Sequence, residues 1–426
     1  MNVSTHLSPT PLASLDGIES CTTREGRCVT GSYKNLQLTS QFQPIFSLAH
    51  HRAVGCEALL RAYTLEDEPL SPLAVFATSS SEHDGVFLDR LCRNIHVRNF
   101  QLQNPGNSWL FLNVSPHIVT RGRHYGPYFS GLLRRYGVRP SQIVIEILED
   151  RIADEAMLAE TVAYYRELGC LVAIDDFGAG HSNFDRIWRI APNIVKLDRS
   201  IIVQAASQPR VRRVIPNLVN LIHESGSLAL MEGIETETEA LIAMDAGIDF
   251  VQGYYFGRPT IDLHSSRVAG AETLANLCLS FSEFSKADAC RHHSTLQPYL
   301  LAFESMWKAL AAGVSPSVAI QEFSALPRFE RCFLLDGEGK QLGRNFTAPS
   351  LPTAHDPRFE PLADAQGAVW SRRHYFRRAM SKPGEVQISR PYLSITGLNM
   401  SVTLSILLQI NGDAQVVCVD LDWTDN

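Results

Sequence analysis

The chain of 426 residues contains no apolar run near the ~18 residues that a membrane-spanning helix needs, and its N-terminus has no basic flank followed by an apolar stretch. A cytoplasmic protein, soluble and not exported, is the expectation. Positive charge is not in excess: 38 Lys and Arg against 45 Asp and Glu give a formal charge of −7, spread along the chain rather than gathered in blocks. Such a chain has no electrostatic grip on a nucleic-acid backbone or an anionic membrane, so duplex nucleic acid is not an expected partner. The nine cysteines include no C-x-x-C pair and no cluster with histidine at zinc-ligand spacing. A zinc site is therefore unexpected, and a reducing compartment fits.

What is present is alternation. Residues 1–35 are rich in Ser, Thr, Pro and Gly without a sustained period and are expected to form a flexible extension. From 36 to 262, short apolar runs alternate with amphipathic helical stretches. The strand candidates are "LQLTSQFQPIFSL", "AVGCEALL", "SWLFLNVS", "QIVIEILE", "LVAID", "NIVKLD", "LALMEG" and "FVQGYYFG". Between two of them, "EAMLAETVAYYRELG" repeats Leu158, Val162, Tyr165 and Leu168 at helical spacing and ends at Gly169; further on, Thr236 and Glu239 form a capping-box pair. Eight strands with intervening helices predict an α/β fold, a TIM-like (β/α)8 barrel. A helical connector is expected over 263–325. Over 326–426, a hairpin turned at Asp336 to Gly339, a helix in "SRRHYFRRAM" and three further strands predict a smaller α+β domain.

In a parallel barrel the C-terminal strand ends open on one face, where functional groups collect. Read this way, Glu57, Asn113, Glu146, Asp175, Asp176, Lys196, Glu232 and Gln252 all fall at or near successive strand ends. Five carboxylates facing one bowl repel each other unless cations neutralise them. Oxygen-only ligation, without Cys or His, points to Mg2+ or Mn2+, and adjacent Asp175 and Asp176 suit a pair of ions of the kind used for phosphodiester hydrolysis. Lys196 adds a cation near the attacking water or the phosphate.

The motifs "FQPI", "EALLR", "LNVSP", "IEILED", "DDFGAGHSN", "VKLDRS", "EGIETE" and "VQGYYFGRP" occur in this order over about 36–262. This set resembles the EAL-domain cyclic-di-GMP phosphodiesterases. The resemblance implies a barrel whose first strand pairing is atypical and hydrolysis of cyclic di-GMP to linear 5′-pGpG by two divalent ions and water. It implies Glu57, Asn113, Glu146 and Asp175 as ligands of one ion, with Asp175, Asp176 and Glu232 serving the second, and Lys196 as the residue holding the catalytic water. Gln43, Leu60, Arg61, Gln252 and Asp198 resemble positions around the dinucleotide; Glu149 and Glu235 resemble supporting positions. Where the family usually carries Tyr, Thr and Leu, this chain has His181, Ala179 and Phe184. A homodimer is implied as well. A non-hydrolysing cyclic-di-GMP receptor is the alternative function. The C-terminal segment resembles PAS/Cache-like sensor domains, with Arg373, Tyr375 and Tyr392 as candidate residues for a small-molecule ligand.

Overall fold

A computed structural model describes residues 14–114, 128–148, 155–180, 184–347, 365–395 and 399–424. The chain divides into two compact units, Met1–Ser285 and Lys286–Asn426. The strands of the first unit are β1 (Thr22–Glu25), β2 (Cys28–Tyr33), β3 (Leu36–Ser47), β4 (Arg52–Thr64), β5 (Pro69–Leu70), β6 (Trp109–Asn113), β7 (Ile143–Leu148), β8 (Leu171–Phe177), β9 (Ile194–Leu197), β10 (Leu228–Met231) and β11 (Phe250–Val251). Neighbours β4, β6, β7, β8, β9, β10 and β11 run parallel in that order, and β3 closes the ring by pairing antiparallel with both β4 and β11. The eight expected strands thus form a closed barrel in which one strand runs against the others.

Two-residue side-chain alternation explains how this barrel is filled. Ile45, Phe111, Val144, Ala173, Ile194, Leu230 and Phe250, one from each of seven strands, pack together as an apolar plug inside the ring. The opposite strand faces meet the surrounding helices in a larger core that includes Cys56, Leu110, Ile145, Val172, Val195 and Ala229. Helix ends follow the local signals: Thr236 and Glu239 form a reciprocal capping box, and Gly169 takes φ 89° two residues after the helix Glu155–Glu167.

Residues 14–35 depart from the flexible extension expected of them. They form a short helix, Leu15–Glu19, and the hairpin β1–β2, which continues the sheet antiparallel to β3. The apolar signal is sparse because the anchors are few: Ile18 is fully buried, and β2 alternates Val29, Gly31 and Tyr33 inward between small polar residues. Gly31 is required there, since a Cβ would lie 2.6 Å from the Ile95 side chain of the helix Glu82–Leu102. The same helix ties the strands by polar contacts. Asn99 exchanges hydrogen bonds with the Val29 backbone at 2.7 and 2.8 Å, and His96 Nδ1 lies 2.7 Å from Ser40 Oγ.

The second unit holds β12 (Phe329–Asp336), β13 (Gln341–Thr347), β14 (Gln387–Ile388), β15 (Tyr392–Leu393), β16 (Met400–Ile410) and β17 (Asp413–Asp422), all paired antiparallel, in the order β13-β12-β17-β16-β14 with β15 also on β16. One sheet face, with Cys332, Leu404 and Val417, packs on Tyr299, Phe303 and Met306 of the 49-residue helix Leu263–Ala311. The other face, with Phe333, Leu335 and Cys418, packs on Tyr375, Phe376 and Ala379 of the helix His374–Ser381.

Burial holds the His96 imidazole neutral, lowering its pKa from 6.5 to about 4. The unfolded chain therefore takes up the proton first as pH falls, so the stability supplied by neutral His96 is present above about 6.5 and lost down to about 4. The expected outcome is that the stability gap between the wild type and His96→Gln, read by urea unfolding of the barrel, narrows between neutral pH and pH 4.5 by up to roughly 3 kcal/mol. A pH-independent gap would contradict the assignment.

Candidate active site

Two residues beyond the apolar plug, on the same face of each strand, stands a polar residue. Phe111, Val144, Ala173, Ile194, Leu230 and Phe250 are followed at i+2 by Asn113, Glu146, Asp175, Lys196, Glu232 and Gln252. On antiparallel β3 the order reverses, so Gln43 lies two residues before Ile45 and is the register partner of Glu57 on β4. A single polar layer above a single apolar layer is the result.

Lys196 occupies its centre. The ammonium is 2.8 Å from Asp175 Oδ1, 2.5 Å from Glu232 Oε1 and 3.8 Å from Glu57 Oε2, and it contacts Glu146 Oε1 directly. Lys196 is 1 % exposed and Glu146 is fully buried. Burial works against the Lys196 charge, but Asp175, Glu146, Glu232 and Glu57 outweigh it and hold the ammonium well above its ordinary range. Burial, then the Glu57 charge, pushes Glu146 well above the usual carboxylate range, and burial does the same to Glu232. Glu57 is fixed by amides: Asn113 Nδ2 donates to Oε1 at 2.9 Å and Gln252 Nε2 to Oε2 at 2.8 Å, while Gln252 also donates to Gln43 at 3.1 Å.

Adjacent residues of a regular strand point to opposite faces, so Asp175 and Asp176 could not share the bowl without a distortion. The distortion is a bulge between Ile174 and Phe177 in the β8–β9 register, with Asp176 at φ 57°. It brings carboxylate oxygens of Asp175, Asp176 and Glu232 within 4.8 Å of one another; those of Glu57, Glu146 and Glu232 meet the same limit. Burial and the Asp175 charge raise the Asp176 carboxyl to about 6. The donor set fits divalent cations: five carboxylates face one lysine, and buried Glu146 Oε2 has no hydrogen-bond partner among the described residues.

The other expected residues are distributed around this cluster. Asp198 caps the helix Arg199–Ser207, accepting from Ser200 N–H at 2.9 Å. Glu235 pairs with Arg199 at 2.7 Å at the mouth. Arg61 is held outside the cluster by Gln41 Oε1 at 2.8 Å and the Leu60 carbonyl at 3.0 Å. Leu60 lies in the core on the strand face opposite Glu57. Glu149 and His181 fall outside the described residues. Two residues not anticipated line the cleft of about 540 Å3 with Gln43, Glu57 and Glu232: Arg199, and Tyr254, whose half-exposed ring has the Arg258 guanidinium 4.3 Å from its centre. Both sit inside the motifs "VKLDRS" and "VQGYYFGRP", but past the strand ends on which the period-two pattern places the polar layer.

The family description "EAL domain" matches residues 29–259, more than half of the chain. The chain belongs to the EAL-domain family. Among curated relatives of this EAL-domain protein, the cyclic di-GMP phosphodiesterase RocR of Pseudomonas aeruginosa is 34 % identical over 236 residues, covering 54 % of this chain and 59 % of RocR. The cyclic di-GMP phosphodiesterase PdeF of Escherichia coli is 30 % identical over 208 residues, covering 48 % of this chain and 27 % of PdeF. The match therefore spans only part of either relative. The crystal structure of YkuI from Bacillus subtilis, an EAL-domain protein in complex with c-di-GMP and calcium, superposes with a TM-score of 0.76 at 22 % identity, covering 91 % of this chain and 96 % of that one. The likeness in fold thus extends well beyond the EAL domain.

Divalent cations would draw on the same carboxylate oxygens as Lys196, so Lys196→Met should melt at lower temperature without metal, a loss of about 3–5 kcal/mol from uncompensated buried charge. Added Mn2+ should then raise its melting temperature more than that of the wild type. Equal or smaller stabilisation of the variant by Mn2+ would contradict this competition.

Proposed function

We propose that the barrel hydrolyses cyclic di-GMP to linear 5′-pGpG with two divalent ions, Mg2+ or Mn2+, and water as nucleophile. The observation that carries this reading is the surplus of carboxylates around Lys196 at the floor of an open cleft. The phosphodiesterase names of RocR and PdeF support the substrate. In this reading Glu57, Asn113, Glu146 and Asp175 hold one ion, and Asp175, Asp176 and Glu232 hold the other. When bound, such ions supply positive charge to a phosphodiester and lower the pKa of water.

The chain's own residues do the rest. Gln43, Gln252 and Asn113 orient Glu57, so that a carboxylate rotamer is fixed before any ligand arrives. Lys196 orients the attacking water and offsets charge at the phosphate. Water's oxygen bonds to phosphorus, one P–O3′ bond breaks, and a proton ends on the released 3′-oxygen. Arg61 and Arg199 offer guanidinium forks to phosphate, Asp198 bounds the dinucleotide's site, and Tyr254 offers a ring to a base, while Leu60, on the core-facing side of β4, supports the strand from behind. Glu149 and Glu235 act as supports. The EAL barrel of 36–262 is joined through a helical connector, 263–325, to a PAS/Cache-like regulatory domain, 326–426, which senses a small molecule; the protein works in the cytoplasm as a homodimer.

Purified full-length protein with Mg2+ or Mn2+ should convert cyclic di-GMP to pGpG, and Glu57→Ala should lower turnover by at least about 100-fold, since losing even an outer partner of a metal ligand costs 10- to 100-fold. No pGpG from the wild type with either ion, or undiminished turnover by the variant, would overturn the proposal.

A further inference from the structure

The second unit carries its charge unevenly. Between Ser371 and Arg390 the sequence holds six lysines and arginines against one acid, Glu385, in a chain whose overall balance is negative. The helix His374–Ser381 lies inside this stretch. Its Tyr375, Phe376 and Ala379 are buried against the sheet, so His374, Arg377, Arg378 and Ser381, at i, i+3, i+4 and i+7, form the opposite stripe and are exposed. Arg372 before the helix, Lys382 after it and Arg390 beyond β14 are exposed as well. Arg378 Nη1 donates to the Ile388 carbonyl at 2.9 Å, which ties the helix to the strand that leads to Arg390.

This charge works against the helix that bears it. Cations are unfavourable at a helix N-terminus, where Arg372 and Arg373 stand and the first turn has no acid. Arg373 with Arg377, and Arg378 with Lys382, repeat like charge at i, i+4, which destabilises the helix further. Glu385 is 3.6 Å from Lys382, whereas the side chains of Arg372 and Arg377 have no ion pair or hydrogen bond among the described residues. An external layer of negative charge offsets all of these costs together. Aliphatic side chains border the cations: Val369 is 62 % exposed and Ile395 41 %. Both flank the start of the helix. Val369 precedes Trp370, whose ring centre is 5.9 Å from the Arg373 guanidinium, and Ile395 lines the same hollow as those two residues.

We propose that this face of the second unit docks on an anionic lipid surface, with Arg372, Arg377 and Arg378 over the lipid phosphates and Val369 and Ile395 in the interfacial zone. Exposed cations bordered by exposed aliphatic side chains match a bilayer surface, which offers negative charge outside and apolar depth beneath it. A folded acidic protein gains most from donors already fixed to meet its carboxylates, and no neighbour fixes Arg372 or Arg377. A single-stranded nucleic acid takes aromatic platforms for its bases, and the exposed large apolar residues of this patch are aliphatic. The docking face is independent of the chemistry proposed for the barrel, because binding is read directly.

The test is co-sedimentation of the full-length protein with phosphatidylcholine vesicles, plain or containing about one-third phosphatidylglycerol, at low and high NaCl. Binding is expected to the anionic vesicles alone and should weaken as salt screens the charges. Arg372→Gln combined with Arg377→Gln should weaken it about tenfold or more, and Arg372→Lys with Arg377→Lys, which keeps both charges, should stay within about twofold of the wild type. Val369→Ser with Ile395→Ser should weaken it several-fold while leaving it sensitive to salt. Since Arg372 and Arg377 hold no partner, the Gln pair should melt no lower than the wild type, so that lost binding is not lost folding. No binding to the anionic vesicles, equal binding to plain phosphatidylcholine, or undiminished affinity in the Gln pair or the Ser pair would overturn the proposal. So would tighter binding to polyglutamate or to duplex DNA than to the vesicles, which would assign the patch to a protein or a nucleic acid instead.

Discussion

At the centre of the barrel one buried ammonium, Lys196, meets the carboxylates of Glu57, Glu146, Asp175 and Glu232. One buried ammonium cannot neutralise four acids, and a fifth, Asp176, is turned toward the same bowl. Burial and mutual repulsion accordingly raise the carboxyls of Glu146, Glu232 and Asp176 above their ordinary range. Charge of this density is costly to a fold and persists where it serves binding or chemistry.

The architecture concentrates that charge by ordinary means. Alternation along each strand sets an apolar plug below and a polar layer above, and closure of the ring turns seven separate strand ends into one surface. The antiparallel strand β3 fits the same scheme in reverse, contributing Gln43 from two residues before its plug residue rather than two after. At β8 the regular geometry gives way to the bulge that lets Asp176 join Asp175. The cleft above then receives Arg199 and Tyr254 from the segments that follow β9 and β11.

Much of this is legible in the residues. The eight barrel strands announce themselves by short apolar runs, and their polar ends share one face because the period is two. What escapes such reading is set by tertiary contact. Residues 14–35 look featureless because their order rests on Ile18, Val29 and Tyr33 packing elsewhere, and on Gly31 leaving room for Ile95. The hydrogen bonds that hold Arg61 against Gln41, and the core position of Leu60, follow from β3–β4 register rather than from the "EALLR" motif. Arg199 lies just past the expected Asp198 and enters the cleft through its pairing with Glu235, a residue 36 positions away that no local pattern connects to it. In the second unit the strands and the helix His374–Ser381 follow from alternation and amphipathicity, whereas the Arg331–Asp420 pair emerges only from the sheet pairing of β12 with β17.

In the barrel the imbalance of charge is negative and shared by Glu57, Glu146, Asp175, Asp176 and Glu232 around one ammonium. Crystals grown with Mn2+ test the cation-binding role of this carboxylate surplus most directly, by anomalous diffraction. Two anomalous peaks among Glu57, Asn113, Glu146, Asp175, Asp176 and Glu232, with the Lys196 ammonium withdrawn from Glu146, are the expected result. Crystals saturated with Mn2+ that show no peak there, and Lys196 still seated among the four carboxylates, would contradict it.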